Sequence, residues 1–315
     1  MTSPKPSLRA PRPVRSGAAL LLGLLLLAAA CSSSSKTTAA TSIPPPTTGT
    51  TAAKGSGPVD VFYAGSLLDL MNNTIGPGFH SATGYTFVGT SGDSGTLANE
   101  IKAKTVVADV FISANPSKNT GLEGSSNGDL VSWYALFATS PVVLGYNPNS
   151  KFAQDLKTMP WYEVLAQPGI LVGRTDPATD PKGALTVTIL NDAAKTYNQP
   201  ALSKLATDSS TVYPENTLVG RLQAGQLDVG FFYGVEAAAG NIATVPLTGV
   251  PTQEAKYTIT VLNNAPHMDG ANAFVQYLLG PEGSAALTKA GMTLVQPSTV
   301  TGTPPASLQG VLSGG

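Results

Sequence analysis

Val59-Asp60-Val61-Phe62-Tyr63-Ala64-Gly65-Ser66-Leu67 opens the globular part of the chain. Its first five residues are rich in β-branched and aromatic side chains, which favours a short strand. Ala64-Gly65-Ser66 is a turn of small residues, and apolar residues at helical spacing follow from Leu67 to Ile75. Strand, small turn, helix is a building unit of α/β folds. The alternation continues along the chain. Strands are expected at Tyr85–Val88, Ala108–Ile112, Val142–Tyr146, Ile170–Val172, Val229–Tyr233 and Tyr257–Val261. Helices are expected at Thr96–Lys104, Ala184–Tyr197, Thr217–Ala224 and Ala271–Leu279. Sheets covered by helices on both faces follow from that order, and no internal repeat is visible. The apolar runs Val142–Leu144 and Phe231-Phe232 read as core strands with no further role.

Outside this region the composition changes. Lys5, Arg9, Arg12 and Arg15 form a basic leader ahead of a Leu-rich run, Gly17 to Ala30. That run is short for a permanent span, which needs roughly 20 apolar residues. It ends Leu27-Ala28-Ala29-Ala30-Cys31, small residues before a cysteine, the pattern of a bacterial lipoprotein signal. Residues 1–30 are expected to be removed and Cys31 lipidated, at roughly 0.8 kcal/mol of membrane affinity per buried CH₂. Cys31 is the only cysteine, so an intrachain disulfide is excluded. Residues 31–57 are Ser/Thr/Ala/Pro-rich and too poor in apolar surface to fold, so they read as a tether. Residues 301–315, TGTPPASLQGVLSGG from Thr301, read as a flexible tail. Loss of the leader leaves 14 Lys+Arg against 19 Asp+Glu, a net charge of −5. That balance argues against nucleic acid and against a basic membrane patch.

In α/β folds ligands collect where strands end and helices begin, because free N–H groups and the helix dipole favour anions there. Four turns qualify: Tyr63–Ser66, Gly89–Thr96, Arg174–Gly183 with its two Asp-Pro pairs, and Tyr213–Thr217. Taken singly, each also reads as ordinary helix capping, with Ser66 or Ser94 satisfying orphan N–H groups, Pro181 starting a helix, or Glu215 favouring a helix start.

Together the motifs carry a resemblance. VFYAGSL (61–67), GDSGTLANEIKAK (92–104), ADVFISAN (108–115), WYALFATSPVVLGY (133–146), RTDPATDPKG (174–183), PENTLVGRLQAGQLDVGFFY (214–233) and NAPHMDGANAFVQYLLGPEG (264–283) occur in one order. The region from Val59 to Gln296 resembles periplasmic molybdate- and tungstate-binding proteins, most closely the archaeal-type subgroup. The resemblance implies a two-lobe type II periplasmic binding fold, each lobe a mixed, mostly parallel sheet flanked by helices. It implies a ligand in the interlobe cleft. Lobe 1 is expected to be residues 58–137 plus 255–300, and lobe 2 residues 138–254. The crossings fall within Trp133–Tyr146 and Gly249–Tyr257.

The resemblance also implies roles. Ser66 and Ser94 match serines that hydrogen-bond the oxyanion, backbone N–H groups near Lys182 and Glu215 match donors to it, and Tyr233 matches a tyrosine whose hydroxyl reaches it. Asp180 and Glu215 match two carboxylates that ligate the metal centre and raise its coordination from four oxygens to six. Asp176 is the weaker match. Glu215 lies 18 residues before Tyr233, as the motif requires. Phe232 stands where the subgroup often has an acid. The implied protein is an extracytoplasmic, lipid-anchored monomer that passes molybdate or tungstate to an ABC permease and its ATPase, with no cofactor.

Neutral helix-terminal donors are expected to hold the dianion without lysine or arginine. Carboxylates beside it make sense as direct ligands to a hard, high-valent metal, or as a protonated acid that donates a hydrogen bond. The alternative keeps the fold and changes the ligand to sulfate, phosphate or an organic acid. Catalysis is not expected. His80 and His267 stand in no triad or metal-ligand spacing, His267 reads as a surface loop residue, and no nucleophile motif is present.

Overall fold

The computed structural model describes residues 54–314. Its strands are β1 (Pro58–Ala64), β2 (Thr86–Gly92), β3 (Val110–Ser113), β4 (Trp133–Tyr146), β5 (Val172–Gly173), β6 (Val229–Tyr233), β7 (Ala243–Val245), β8 (Glu254–Val261) and β9 (Thr293–Gly302). They form one curled sheet in the order β2-β1-β3-β8-β4-β6-β5, with β7 and β9 also paired to β4. Helices cover its faces, so the chain has the mixed α/β architecture expected from the strand–helix alternation.

The period-two geometry of strands explains the layering. In β1, Val59, Val61 and Tyr63 enter the main core, whereas Phe62 faces a second cluster with Leu97, Ile101 and Phe111. In β6, Val229, Phe231 and Tyr233 enter the main core, and Phe232 faces Leu218, Leu222 and Leu227. Both strands are therefore buried on two sides, which is why their sequences are nearly continuous apolar runs.

β4 organises the molecule. Up to Pro141 it pairs with β8 and β9, with a register shift between Leu136 and Ala138. From Val142 it pairs with β6 and β7. One 14-residue strand thus joins two halves of the sheet, and β8 returns beside it. Pro141 sits at the changeover, where its missing N–H costs no ladder bond within a run. A strand that leaves one half must run against the strand that returns, so β4 is antiparallel to β8, and it is also antiparallel to β6, β7 and β9. Among the nine described strands, the parallel pairs are β1–β2, β1–β3 and β5–β6. The sheet is therefore mixed with a smaller parallel share than the resemblance implied.

The segments at the ends need correction. Residues 301–315 were expected to be a flexible tail. Instead Thr301 and Gly302 pair with Tyr134 and Trp133 in β9. Ala306–Leu312 is a helix whose Leu308 and Leu312, one turn apart, are buried in the main core. The apolar i, i+4 pair was the overlooked signal. At the other end, the tether reading extended to residue 57. Gly55 N–H donates to the Thr83 carbonyl at 2.8 Å, and Thr86 N–H donates to the Gly57 carbonyl at 2.8 Å, so this last stretch is docked. The leader, Cys31 and the rest of the tether lie outside the described residues. Among the described residues, no helix is long and apolar enough to cross a membrane.

His267 lies in a half-exposed turn, in keeping with its reading as a surface loop residue, and makes specific contacts there. Its N–H donates to Asp109 Oδ1 at 2.8 Å, and its Nδ1 lies 3.0 Å from Asp109 Oδ2 and 3.8 Å from Asp60 Oδ2. Asp109 is fully buried and also accepts from the Asp60 N–H at 2.8 Å. This polar knot ties the chain before Met268–Leu279 to β1 and β3, away from the turns that follow those strands.

Candidate functional site

The parallel strands bring their carboxyl ends together. The turn after β1 carries Ser66, the turn after β2 carries Asp93 and Ser94, and the chain after β5 carries Asp180 and Lys182. β6 ends on Tyr233, and Glu215 begins the helix Glu215–Gln223. Ser66, Ser94, Asp180, Lys182, Glu215 and Tyr233 are all buried. Carboxylate oxygens of Asp93, Asp180 and Glu215 lie within 4.8 Å of one another. Three separate chain segments thus converge on one small volume.

Each element is placed by local chemistry. Asp180 caps the helix Pro181–Thr196: its Oδ1 accepts the Lys182 N–H at 2.7 Å, and Pro181 starts the helix without losing a bond. The Lys182 N–H, expected near the ligand, is thereby committed to Asp180. Ser94 begins the helix Ser94–Lys102, and its Oγ accepts the Ala114 N–H at 3.1 Å. Ser66 Oγ and the Tyr257 hydroxyl share a hydrogen bond of 2.9 Å. Asp176 is spent on its own turn, where Oδ1 accepts the Ala178 N–H at 2.9 Å.

Two close contacts bridge the sheet halves. Gly95 N–H donates to the Thr179 carbonyl at 2.9 Å, and Thr179 Oγ1 donates to Asp93 Oδ2 at 3.0 Å. A Cβ on Gly95 would lie 2.3 Å from the Thr179 carbonyl oxygen, and one on Gly65 would lie 2.5 Å from Glu215 Oε2. Glycine is required at both positions for the halves to meet as they do.

Sequence reading missed the site's electrostatics. The Lys182 ammonium is wholly buried, 2.6 Å from Glu236 Oε2 and 3.4 Å from Glu215 Oε1. Burial alone would lower the Lys182 pKa, but Glu236, Glu215 and Asp180 overcome it and raise the value, so the ammonium stays charged. Burial pushes Asp180 up to about 7, with Asp93 and Glu236 adding to the rise and Lys182 opposing it. Burial and then the Asp180 charge hold Glu215 well above the ordinary carboxyl range, again against Lys182. Burial likewise raises the Tyr233 and Tyr257 hydroxyls, so both stay protonated and neutral.

Two polar atoms stand out. Asp180 Oδ2 and the Tyr233 hydroxyl are buried and have no hydrogen-bond partner within the protein. Such groups are uncommon and costly, of the order of 1–3 kcal/mol each. Glu236 could have been suspected from its position three residues after Tyr233, since its Oε2 accepts the Tyr233 N–H at 3.2 Å in the manner of a helix start. Tyr257 had no local signal, because only the fold brings β8 beside Ser66. Beside these groups a groove of about 540 Å³ opens to solvent, lined by Ser66, Asn72, Glu215, Asn216, Glu236 and Asn241 among others.

The Asp180 shift has a measurable consequence. A carboxyl with a folded pKa near 7 and an ordinary value of 3.8 binds a proton more tightly in the folded state. Its stabilising contribution is complete below about pH 4 and is lost as pH rises through about 7. Asp180→Asn, which keeps the capping oxygen, is therefore expected to flatten the fall of the ligand-free melting temperature between pH 5 and pH 8. Calorimetric melts of both proteins across that range check it; identical slopes would rule it out.

The fold and this buried polar cluster at the edge of an open groove define a solute binder. Residues 59–293 match the family of bacterial extracellular solute-binding proteins, and the chain belongs to that family. An uncharacterized solute-binding protein of Petrotoga mobilis is 28% identical over 277 residues, covering 77% of this chain and 85% of that one. A molybdate/tungstate-binding protein of Thermococcus kodakarensis is 25% identical over 231 residues, covering 57% of this chain and 65% of that one. Among solved structures, the periplasmic molybdate-binding protein of Azotobacter vinelandii aligns with a TM-score of 0.59 over 76% of this chain and 100% of that one, at 19% identity. That last likeness shows the fold, a type II periplasmic binding architecture.

Proposed function

We propose that this protein captures molybdate or tungstate outside the cytoplasm and delivers it to an ABC permease and its ATPase, held to the membrane through a lipid on Cys31. The observation that carries the reading is the convergence of Asp180 and Glu215 with the unpartnered Asp180 Oδ2 and Tyr233 hydroxyl. A tetrahedral oxyanion offers four oxygens to donors such as Tyr233, Ser66 and Ser94. Its high-valent metal is a hard centre that accepts further oxygens. Free oxygens from Asp180 and Glu215 then complete six-fold coordination, and two carboxylates beside a dianion become ligands rather than repellent neighbours. Sulfate fails this test, because its sulfur does not expand its coordination. The molybdate/tungstate-binding relative supports the same ligand class.

Transport follows from two lobes hinged where β4 and β8 cross. With the halves apart, the Gly95–Thr179 and Gly65–Glu215 contacts are broken and the anion enters. With them together, the ion is enclosed. Hinge closure of this kind is the usual repertoire of periplasmic binders.

A hard cation held directly by Asp93, Asp180 and Glu215 is a second reading of the same trio. The Lys182 ammonium weighs against it, because a cation on Glu215 would sit beside a positive charge 3.4 Å away. Isothermal titration of the full chain with tungstate, molybdate, sulfate and ferric citrate separates these readings. Heat with the first two alone is the expected result. Heat with sulfate or iron, or with none, overturns the oxyanion assignment.

A further inference from the structure

Lys182 touches both carboxylates assigned to the ligand, by two different routes. Its main-chain N–H holds Asp180 Oδ1 at 2.7 Å, and its ammonium lies 3.4 Å from Glu215 Oε1. Each carboxylate is thus left with one uncommitted oxygen. Asp180 Oδ2 is buried without a partner, and Glu215 Oε2 points to the close approach of Gly65 from the other half of the sheet. The ammonium itself is anchored by Glu236 at 2.6 Å, and Glu236 is fixed in turn by the Tyr233 N–H at 3.2 Å. Lys182 is wholly buried, so these contacts are not diluted by water.

Resting on the molybdate/tungstate reading, we propose that Lys182 and Glu236 are positioning residues that aim one oxygen each of Asp180 and Glu215 at the bound metal, and so set its coordination at six oxygens rather than four. A carboxylate with one oxygen tied down presents the other in a fixed direction, whereas an untethered one rotates. Outer partners of this kind orient ligands in metal sites generally, and their loss typically costs about 10- to 100-fold in affinity. Glu236 is needed because an ammonium with Glu215 as its only partner would close on it and compete with the metal. The anchored position lets Lys182 guide Glu215 without capturing it. The same ammonium supplies the single positive charge among four carboxylates, Asp93, Asp180, Glu215 and Glu236, before the dianion enters.

The test is tungsten X-ray absorption, which counts oxygens around the metal, together with titration calorimetry on the full chain. Lys182→Met is compared with the paired change Lys182→Met/Glu236→Gln. The pair replaces an ion pair with neutral groups of similar volume, an exchange that is often neutral for stability. It therefore keeps the experiment decisive if the single variant fails to fold. The expected result is six oxygens in the unaltered protein, five in the folded variant, because the main-chain N–H of residue 182 still holds Asp180 while Glu215 is released, and affinity weakened about 10- to 100-fold. Six oxygens in the folded variant, at whatever affinity, overturn the positioning role. Four oxygens in the unaltered protein overturn it while leaving oxyanion capture intact. Absence of tungstate and molybdate binding by the unaltered protein overturns both.

Discussion

Replacing Glu215 with glutamine is expected to weaken tungstate binding by about 2–5 kcal/mol, roughly thirtyfold at the least. Glutamine has nearly the same shape, so the helix Glu215–Gln223 and the approach of Gly65 are preserved. What changes is chemistry. An amide oxygen is a poorer ligand to a hard, high-valent metal than a carboxylate. The substitution also strips Lys182 of one of its two carboxylate partners. The choice of glutamine decides between two modes of action. Burial and the Asp180 charge raise Glu215 well above the ordinary carboxyl range, so a protonated acid donating to a ligand oxygen is a competing mode. Glutamine keeps a donor. Retained affinity would therefore mean that Glu215 acts as a hydrogen-bond donor, whereas a large loss means that it acts as a ligand. Titration calorimetry gives the affinity, and tungsten X-ray absorption gives the accompanying change in oxygen count.

Gly95→Val is expected to cost a comparable amount by a different route, at least a hundredfold in affinity, or about 2.7 kcal/mol. The obstacle is backbone, not a yielding side chain. A Cβ at this position would meet the Thr179 carbonyl oxygen at 2.3 Å and the Thr179 carbonyl carbon at 3.1 Å. The clash exists only where Gly95 meets Thr179, across the two sheet halves. With the halves apart it disappears, so the fold of each half is spared. The apparent affinity falls because the closed form becomes scarce, and the observed dissociation constant rises in inverse proportion to its population. Small-angle scattering with and without tungstate checks this. Contraction of the unaltered protein and an unchanging, expanded variant are expected. A variant that contracts and binds normally would show that the halves close by another path.

The local rules carried far. The strand–turn–helix at Val59–Ile75 set the α/β class, because a β-branched run and a helical apolar spacing are each legible within a few residues. β6 and the second half of β4 were readable as core strands for the same reason. The strand-to-helix turns marked the segments that hold Ser66, Ser94, Asp180 and Glu215, although each also read as ordinary helix capping, and the resemblance supplied the roles of the four residues. The limits were equally physical. β9 begins Thr293-Leu294-Val295 but runs on through Gln296, Pro297 and Ser298, so little in it announces a strand. Pairing to β4 makes it one. The helix Ala306–Leu312 carries only two core residues in a polar tail, and its stability lies in the surface that receives Leu308 and Leu312.

The sequence by itself determined the α/β class, the charge balance, the single cysteine and the turns that gather at the strand ends, because each depends on near neighbours or on composition alone. Only the tertiary structure decided which side chains meet. Lys182 lies 54 residues from Glu236, and Ser66 lies 191 residues from Tyr257, yet each pair is in hydrogen-bonding contact. No local pattern encodes such a meeting. A lysine in a helix start reads as a solvated charge until the fold removes the water around it and leaves the carboxylates of Glu236 and Glu215 as its partners.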